Sequence, residues 1–269
     1  MTLQQEKAHF DTFGYIVKRA LFRSDEMEAI SRWFDEGMVN YHGELGKEKQ
    51  FVEPGLQLHP GLCESYLDDA RILDTLENLM GEGFVLCASD AQRTVGNSRW
   101  HHDSTIPMEK GRPGEYLMLK VQMYFEDLQS GRGCLSVLPG SHKKGYGDAL
   151  RDVWKVESPI DDRTPTPMGP NPPDLPGSLQ VETRRGDIIF FNQKLGHSSW
   201  GGPRGRRFLG MTFGEKPTKG WHHEWLIHHA DTWQKACMNE AKTQFPEHLV
   251  SSASPRLRGV IEYLHSKGY

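Results

Sequence analysis

The stretch from Phe84 to Gly214 sets the strongest limit on what this chain can fold into. It holds FVLCAS (84–89), YLMLKVQMYFED (116–127), CLSVLPG (134–140), SLQVET (178–183), GDIIFFN (186–192) and RRFLGMTFG (206–214). These segments are short, β-branched or aromatic, and punctuated by Gly, Pro or Asn, which is how strands and their turns read. Parallel neighbours would need crossovers, usually helical, between successive strands. No helical period separates these segments, so an antiparallel sandwich or barrel is predicted rather than a parallel α/β sheet.

Helical signals flank this block. A short strand is expected at Phe13, Tyr15, Ile16 and Val17 around Gly14. Ser24 reads as the N-cap of a following helix, with Asp25 and Glu26 in its first turn and Met27, Ile30, Trp33 and Phe34 on one face. A second helix is predicted near 67–80, where Ile72, Leu73, Leu76, Leu79 and Met80 recur at helical spacing before Gly81. The C-terminal helix has Ser254 as N-cap, Pro255 at the first position, Leu257, Ile261 and Leu264 on one face, and Gly268 at its end. The expected layout is one domain over 1–269, with a helical buttress mainly at 1–82 and 220–269 and a β core at about 84–214.

Seven of the sixteen prolines fall in 151–177, so that stretch is either a functional lid or locally disordered. Charged residues are 25% and apolar residues 36%, as in a globular protein, and the formal charge of −4 implies no general affinity for nucleic acid or anionic membrane. Cys63, Cys87, Cys134 and Cys237 are scattered without a CxxC pair, which suits reduced thiols. The N-terminus MTLQQEKAHF has no apolar signal region and no stretch has bilayer-spanning length, so the expected address is the cytoplasm.

The chemistry is concentrated at SRWHHDSTIP. On an extended strand, residues i and i+2 share a side, so His101 and Asp103 can bind one ion while His102 faces away. An imidazole and a carboxylate are two thirds of the facial triad that holds Fe(II) with three open positions. His197 in FNQKLGHSSWGG is the best third ligand; it follows the strand GDIIFFN directly. A one-residue slip of register would substitute His102 for His101, and a His-x-Asp pair also arises by chance. His222, His223, His228 and His229 form competing clusters, read as amphipathic packing because they sit among Trp and Leu where helical periodicity resumes.

Fe(II) with one aspartate carries net +1, and a dianionic 2-oxo acid would take the site to −1, so a nearby guanidinium would restore balance. Arg206 and Arg207 lie nine and ten residues after His197. Arg206 shares a strand face with Phe208, Gly210 and Thr212, which suits a ligand cavity. Arg207 shares one with Leu209, Met211 and Phe213, which suits packing. Parity therefore favours Arg206, with the alternative that both are surface charges after a Gly-rich turn. Along 118–125, Met118, Lys120, Gln122 and Tyr124 alternate with Leu119, Val121, Met123 and Phe125, and the polar side faces either water or the cavity. Lys110, Arg112 and Arg132 lie in loops, where they either recognise an acidic group or are simply solvated.

Taken together, these motifs resemble the phytanoyl-CoA dioxygenase-like family of Fe(II)/2-oxoglutarate oxygenases over most of the chain. FDTFGYIVKRALFRSDEMEAI resembles its N-terminal strand and helix, WHHD its W-H-x-D iron motif, YFEDLQSGRGCLSVLPGSHKKG its strand, turn and PGSH block, and GDIIFFNQKLGHSS its approach to the second iron histidine. The resemblance implies a double-stranded β-helix of the jelly-roll or cupin-like kind, with helices on one face. It implies iron held by His101, Asp103 and His197, and 2-oxoglutarate bound by Arg206 with Ser199, and with Gln122 and Lys120 on a neighbouring strand. The interval between histidine and arginine is shorter here than the family usually shows, which leaves Arg206 and Arg207 both open. Related halogenases have Gly or Ala at the position of Asp103, so hydroxylation or a similar oxidation of a small organic substrate is implied, with O2 consumed and succinate and CO2 released. The competing classes are a cupin-like metalloenzyme that does not use 2-oxoglutarate and a non-catalytic jelly-roll binding module.

Overall fold

Two antiparallel sheets are built from ten strands in the computed structural model, which describes residues 1–46, 49–94, 97–103, 116–149, 175–236, 243–245 and 247–269. The larger sheet has the order β1-β8-β5-β10-β3-β2: Tyr15–Lys18, Ile188–Asn192, Met118–Tyr124, Arg206–Gly214, Val85–Thr94 and Gln50–Val52. The smaller has the order β4-β9-β6-β7: Ser98–His101, His197–Ser199, Leu135–Val137 and Leu179–Val181. Helices α1 (Leu3–Phe13), α2 (Ser24–His42), α3 (Ala70–Met80), α4 (Gly220–Ala236), α5 (Glu247–Ser252) and α6 (Pro255–His265) flank them. All six segments predicted as strands are strands, and β3 runs on from Ser89 to Thr94. Residues 151–174, Lys110, Arg112 and Cys237 lie outside the described residues, so the suggested lid is untouched by the structure.

Strand alternation divides the larger sheet into two unlike faces. Leu119, Val121 and Met123 of β5 and Leu209, Met211 and Phe213 of β10 are buried in the main core with Ile30 and Phe34 of α2 and Leu76 of α3. The opposite face meets the smaller sheet, and Tyr124, Ile189 and Phe191 pack there with Leu135, Val137 and Val181. Lys120 and Gln122 are on this inner face, so the polar side of β5 looks into the space between the sheets rather than into water.

Some local expectations need correction. The N-terminus is a helix, closed by a capping box between Thr2 and Gln5, so Phe13 ends α1 and the strand begins at Tyr15 after Gly14. Ser24 is the first helical residue of α2; the cap is Arg23, whose backbone N–H donates to Glu26 Oε2 at 2.6 Å. The helix expected from 67 starts at Ala70, capped by Asp69, after a separate π turn at Cys63–Leu67. At the C-terminus Ser254 Oγ accepts from Leu257 N–H at 3.2 Å as expected, but α6 stops at His265, short of Gly268. The histidines of α4 pack: His222 and His229 are buried, and His223 Nδ1 lies 2.8 Å from Tyr263 Oη. Cys63, Cys87 and Cys134 are buried and free, and burial pushes their thiols up, to about 12 for Cys63 and Cys87 and about 11 for Cys134. Among the described residues no helix is long and apolar enough to cross a membrane.

Arg207 fastens β10 to the helical layer. Its Nε donates to Glu126 Oε1 at 2.7 Å and its Nη1 to Asp35 Oδ2 at 2.5 Å and Ser31 Oγ at 2.8 Å. Arg207→Ala takes the guanidinium from Asp35 and Glu126, so urea denaturation should show a loss of about 1–3 kcal/mol. A loss of the fold's circular dichroism signature at ambient temperature would contradict this purely fastening role.

Candidate metal centre

Strand pairing brings the two histidines together. His101 ends β4, His197 begins β9, and the two are register partners across the antiparallel pair. Their rings stand 4.0 Å apart between centroids. Asp103 lies just beyond the end of β4 and completes the cluster: its Oδ1 is 3.4 Å from His101 Nε2 and 3.6 Å from His197 Nε2. One ligand atom from each of the three residues falls within 4.8 Å of the others, and among the described residues this is the one such group. His102 is not part of it.

Two of the three donors, His197 and Asp103, are held in a state that suits a cation. His197 Nδ1 lies 2.9 Å from the Leu195 carbonyl oxygen, which can only accept, so Nδ1 carries the proton and Nε2 presents its lone pair to the cluster. Burial, helped by His101, pushes His197 down to about 3, so the ring is neutral. Burial works against the charge of Asp103, but the Lys120 ammonium, with a hydrogen bond from His101, outweighs it and holds the carboxyl well below the usual range. Asp103 Oδ2 is buried without a hydrogen-bond partner, with Lys120 Nζ 3.6 Å away. Two imidazoles, one ionised carboxylate and an orphaned buried oxygen fit a divalent cation of the Fe(II) kind.

Lys120 is itself compensated. Burial disfavours its charge, yet Asp90 and Asp103 raise its pKa above that of an ordinary lysine. Asp90 on β3 stands 3.3 Å from Lys120 Nζ through Oδ1, and its Oδ2 accepts from Gln92 Nε2 at 3.1 Å. β10 runs between these two strands, and the pair meets over Gly210, where a Cβ would lie 2.6 Å from Asp90 Oδ1 and 2.9 Å from Lys120 Cε.

The two arginines point to opposite faces of β10, as alternation requires. Arg206 is buried on the inner side, where Nη2 donates to Ser199 Oγ at 3.0 Å and Nη1 to the Gly133 carbonyl at 2.5 Å. Ser199 Oγ in turn lies 3.1 Å from Ser98 Oγ. Gly133 and Gly202 form a close cradle, since a Cβ at either would stand 2.6 or 2.7 Å from Arg206 Nη1. Gln122 is buried and pairs with Gly210 in register, while Arg132 is exposed. Sequence reasoning missed Asp90, Ser98 and Gln193. The last is buried, its Nε2 donating to Thr212 Oγ1 at 3.1 Å and its Oε1 left without a partner. A signal for Asp90 existed, because it directly follows FVLCAS on a strand that continues to Thr94.

Replacing Lys120 by Met removes the cation between two buried carboxylates. Lys120→Met should lower apoprotein stability at pH 7 by about 3–5 kcal/mol. Asp103 has its pKa depressed by folding, so its contribution is present above about 3.9 and is lost as pH falls through the folded value. The gap between wild type and Lys120→Met should therefore narrow once the pH falls below about 4. A gap that stays constant as the pH falls from 7 to about 2.5 in urea titrations would rule out this charge balance.

The model of the phytanoyl-CoA dioxygenase (PhyH) family matches residues 10–207 of this chain. No curated protein matches the sequence. Among solved structures, HygX from Streptomyces hygroscopicus with nickel and 2-oxoglutarate bound is 19% identical with a TM-score of 0.62, covering 79% of this chain and 86% of its own. The non-haem α-ketoglutarate-dependent carbocyclase SnoK from nogalamycin biosynthesis is 21% identical with a TM-score of 0.58, covering 79% and 83%. The α-ketoglutarate-dependent epimerase SnoN from the same biosynthesis is 16% identical with a TM-score of 0.55, covering 82% and 88%. At these identities the likeness is one of fold. The match of the family model spans well over half of the sequence, and by it the chain belongs to the phytanoyl-CoA dioxygenase family of non-haem iron, 2-oxoglutarate-dependent enzymes.

Proposed function

We propose that this protein is an Fe(II)- and 2-oxoglutarate-dependent dioxygenase that hydroxylates or otherwise oxidises an unactivated C–H bond of a small organic molecule. The observation that carries this reading is the convergence of His101, Asp103 and His197 at one end of the inner face, with a buried Arg206 on the same face. In this reading the two sheets are the halves of a double-stranded β-helix and the whole chain is a single domain. A small-molecule substrate accords with relatives of the same fold, since HygX has been solved with hygromycin B and SnoN with nogalamycin RO.

The chain's own residues divide the work. His101 Nε2, His197 Nε2 and one oxygen of Asp103 hold the metal. The Leu195 carbonyl fixes the His197 tautomer, and Lys120 keeps Asp103 ionised. Arg206 and Ser199 receive the distal carboxylate of 2-oxoglutarate; the guanidinium supplies donors in a fixed fork and the Ser98 hydroxyl steadies Ser199. Gln122 and Lys120 complete the surroundings of the cosubstrate on β5. Tyr124, Ile189, Phe191 and Val137 make the space between the sheets apolar beside this polar row, which keeps bulk water from the reacting centre. Bound iron supplies the activation of O2, coupled to oxidative decarboxylation of 2-oxoglutarate to succinate and CO2.

Anaerobic titration with Fe(II) and 2-oxoglutarate should produce the visible charge-transfer absorption of a chelated 2-oxo acid. Arg206→Ala should raise the 2-oxoglutarate Kd on the order of 100-fold, and Arg207→Ala should leave it unchanged. A substrate-triggered succinate assay across candidate small molecules then identifies what is oxidised. Iron binding and turnover that ignore both 2-oxoglutarate and Arg206 would replace this reading with that of a cupin-like metalloenzyme. Absence of metal binding would leave a jelly-roll binding module.

A further inference from the structure

The peptide groups of the turn that delivers His197 are all engaged, those of Leu195 within the turn and those of Gly196 from outside it. Leu195 and Gly196 lead directly into β9. Leu195 N–H donates to the Asn192 carbonyl at 2.8 Å, and the Leu195 carbonyl takes the His197 Nδ1 proton. Both sides of Gly196 are claimed by one short segment that precedes it by more than fifty residues. Its N–H donates to Ser141 Oγ at 2.8 Å, and its carbonyl accepts from Leu138 N–H at 2.8 Å. There is little slack in this seat: a Cβ at Gly196 would lie 3.3 Å from both Ser141 Oγ and Leu138 Cδ1.

Ser141 is buried, 6% exposed, and its own position is fixed twice. Its N–H closes a turn onto the Leu138 carbonyl at 3.1 Å. The segment is then docked on the corner between α1 and β1. Gly140 N–H donates to the Phe13 carbonyl at 2.9 Å, and His142 Nε2 reaches the Asp11 carbonyl at 3.3 Å. The same corner holds the other end of the histidine turn, because Asn192 N–H donates to the Gly14 carbonyl at 2.8 Å. Gly14 sits at φ +86°, and a Cβ there would fall 2.5 Å from His142 Nδ1 and 2.9 Å from Leu195 Cδ1. The corner, the Leu138–His142 segment and the histidine turn therefore interlock with no room for a side chain at the contact.

We propose that Ser141 is a positioning residue for the metal ligand His197: by accepting the Gly196 N–H it fixes the peptide plane from which the imidazole projects, and so sets the direction of Nε2. The inference rests on the reading of His197 as a ligand. Ser141 touches neither the cluster nor any cosubstrate contact named above, so an effect on metal binding has to pass through the turn. Outer partners of this kind commonly govern metal affinity by about 10- to 100-fold.

The test is binding of Co(II) to apoprotein, followed by its visible ligand-field spectrum and by the metal-induced rise in Tm. Ser141→Ala should weaken Co(II) binding about 10-fold or more, alter the band positions or intensities, and reduce the metal-induced rise in Tm, while the apoprotein still melts well above the assay temperature. Ser141→Cys, close in size and a weaker acceptor, should fall between wild type and alanine, and it carries the test alone if the alanine variant does not fold. Wild-type affinity and spectrum in whichever of these variants is folded overturns the proposal. His197→Ala serves as the control: if it binds Co(II) like wild type, the metal-site reading falls and this inference with it. Loss in His197→Ala together with full binding in Ser141→Ala removes the positioning role alone.

Discussion

A carboxylate buried between two largely apolar sheets has to be balanced by positive charge, and much of the inner face is arranged around that requirement. Asp103 meets it with Lys120, and Lys120, buried in turn, meets it with Asp90. The three groups come from a loop and from two strands that are not neighbours, and the lysine and Asp90 reach each other only across the bare backbone of Gly210. Removing Lys120 leaves two carboxylates whose desolvation is uncompensated. The row holds Asp103 ionised before a metal arrives, so the ligand set has no proton to lose at this position on binding.

The same strands serve two masters through alternation. β5 and β10 send leucine, valine, methionine and phenylalanine to the helices and send lysine, glutamine and arginine to the interior. Arg206 and Arg207 show the division most clearly: neighbours in sequence, one lies on Ser199 inside and the other on Asp35 and Glu126 outside. A guanidinium on the outer face is stabilised by acidic residues of the scaffold. The one on the inner face donates to a hydroxyl and a carbonyl, Ser199 Oγ and the Gly133 oxygen, neither of which carries a formal charge to balance its own.

Much of this was legible in the residues because the period of two survives wherever a strand is long. β5, β8 and β10 announce themselves, and parity alone separated the two faces of β5 and β10. The three metal-ligand candidates were legible for a related reason, since His101 and Asp103 lie two apart and His197 opens a segment after a marked strand. Three-residue strands such as β2 and β9 carry no period and exist because a partner pairs with them, which is why they escaped notice. α1 was missed because only Glu6 and Phe10 of its eleven residues are buried, leaving almost no apolar stripe; the Thr2–Gln5 capping box was the signal available. Asp90 was passed over because aspartate is uncommon in strands, and here it is present for charge rather than for strand formation.

The interlock at Gly14 bears on the order in which the molecule assembles. The turn before His197 closes locally on Asn192, but it is seated by Gly14 near one end of the sequence and by Leu138 and Ser141 from its middle. Closing such distant contacts costs chain entropy that neighbouring strands cannot offset until they are already paired. On these grounds the ligand turn is expected to form late in folding, after β5, β8 and β10 have met and α1 has docked. During synthesis α1 leaves the ribosome well before β8 and β9, and only their meeting creates a place for the metal.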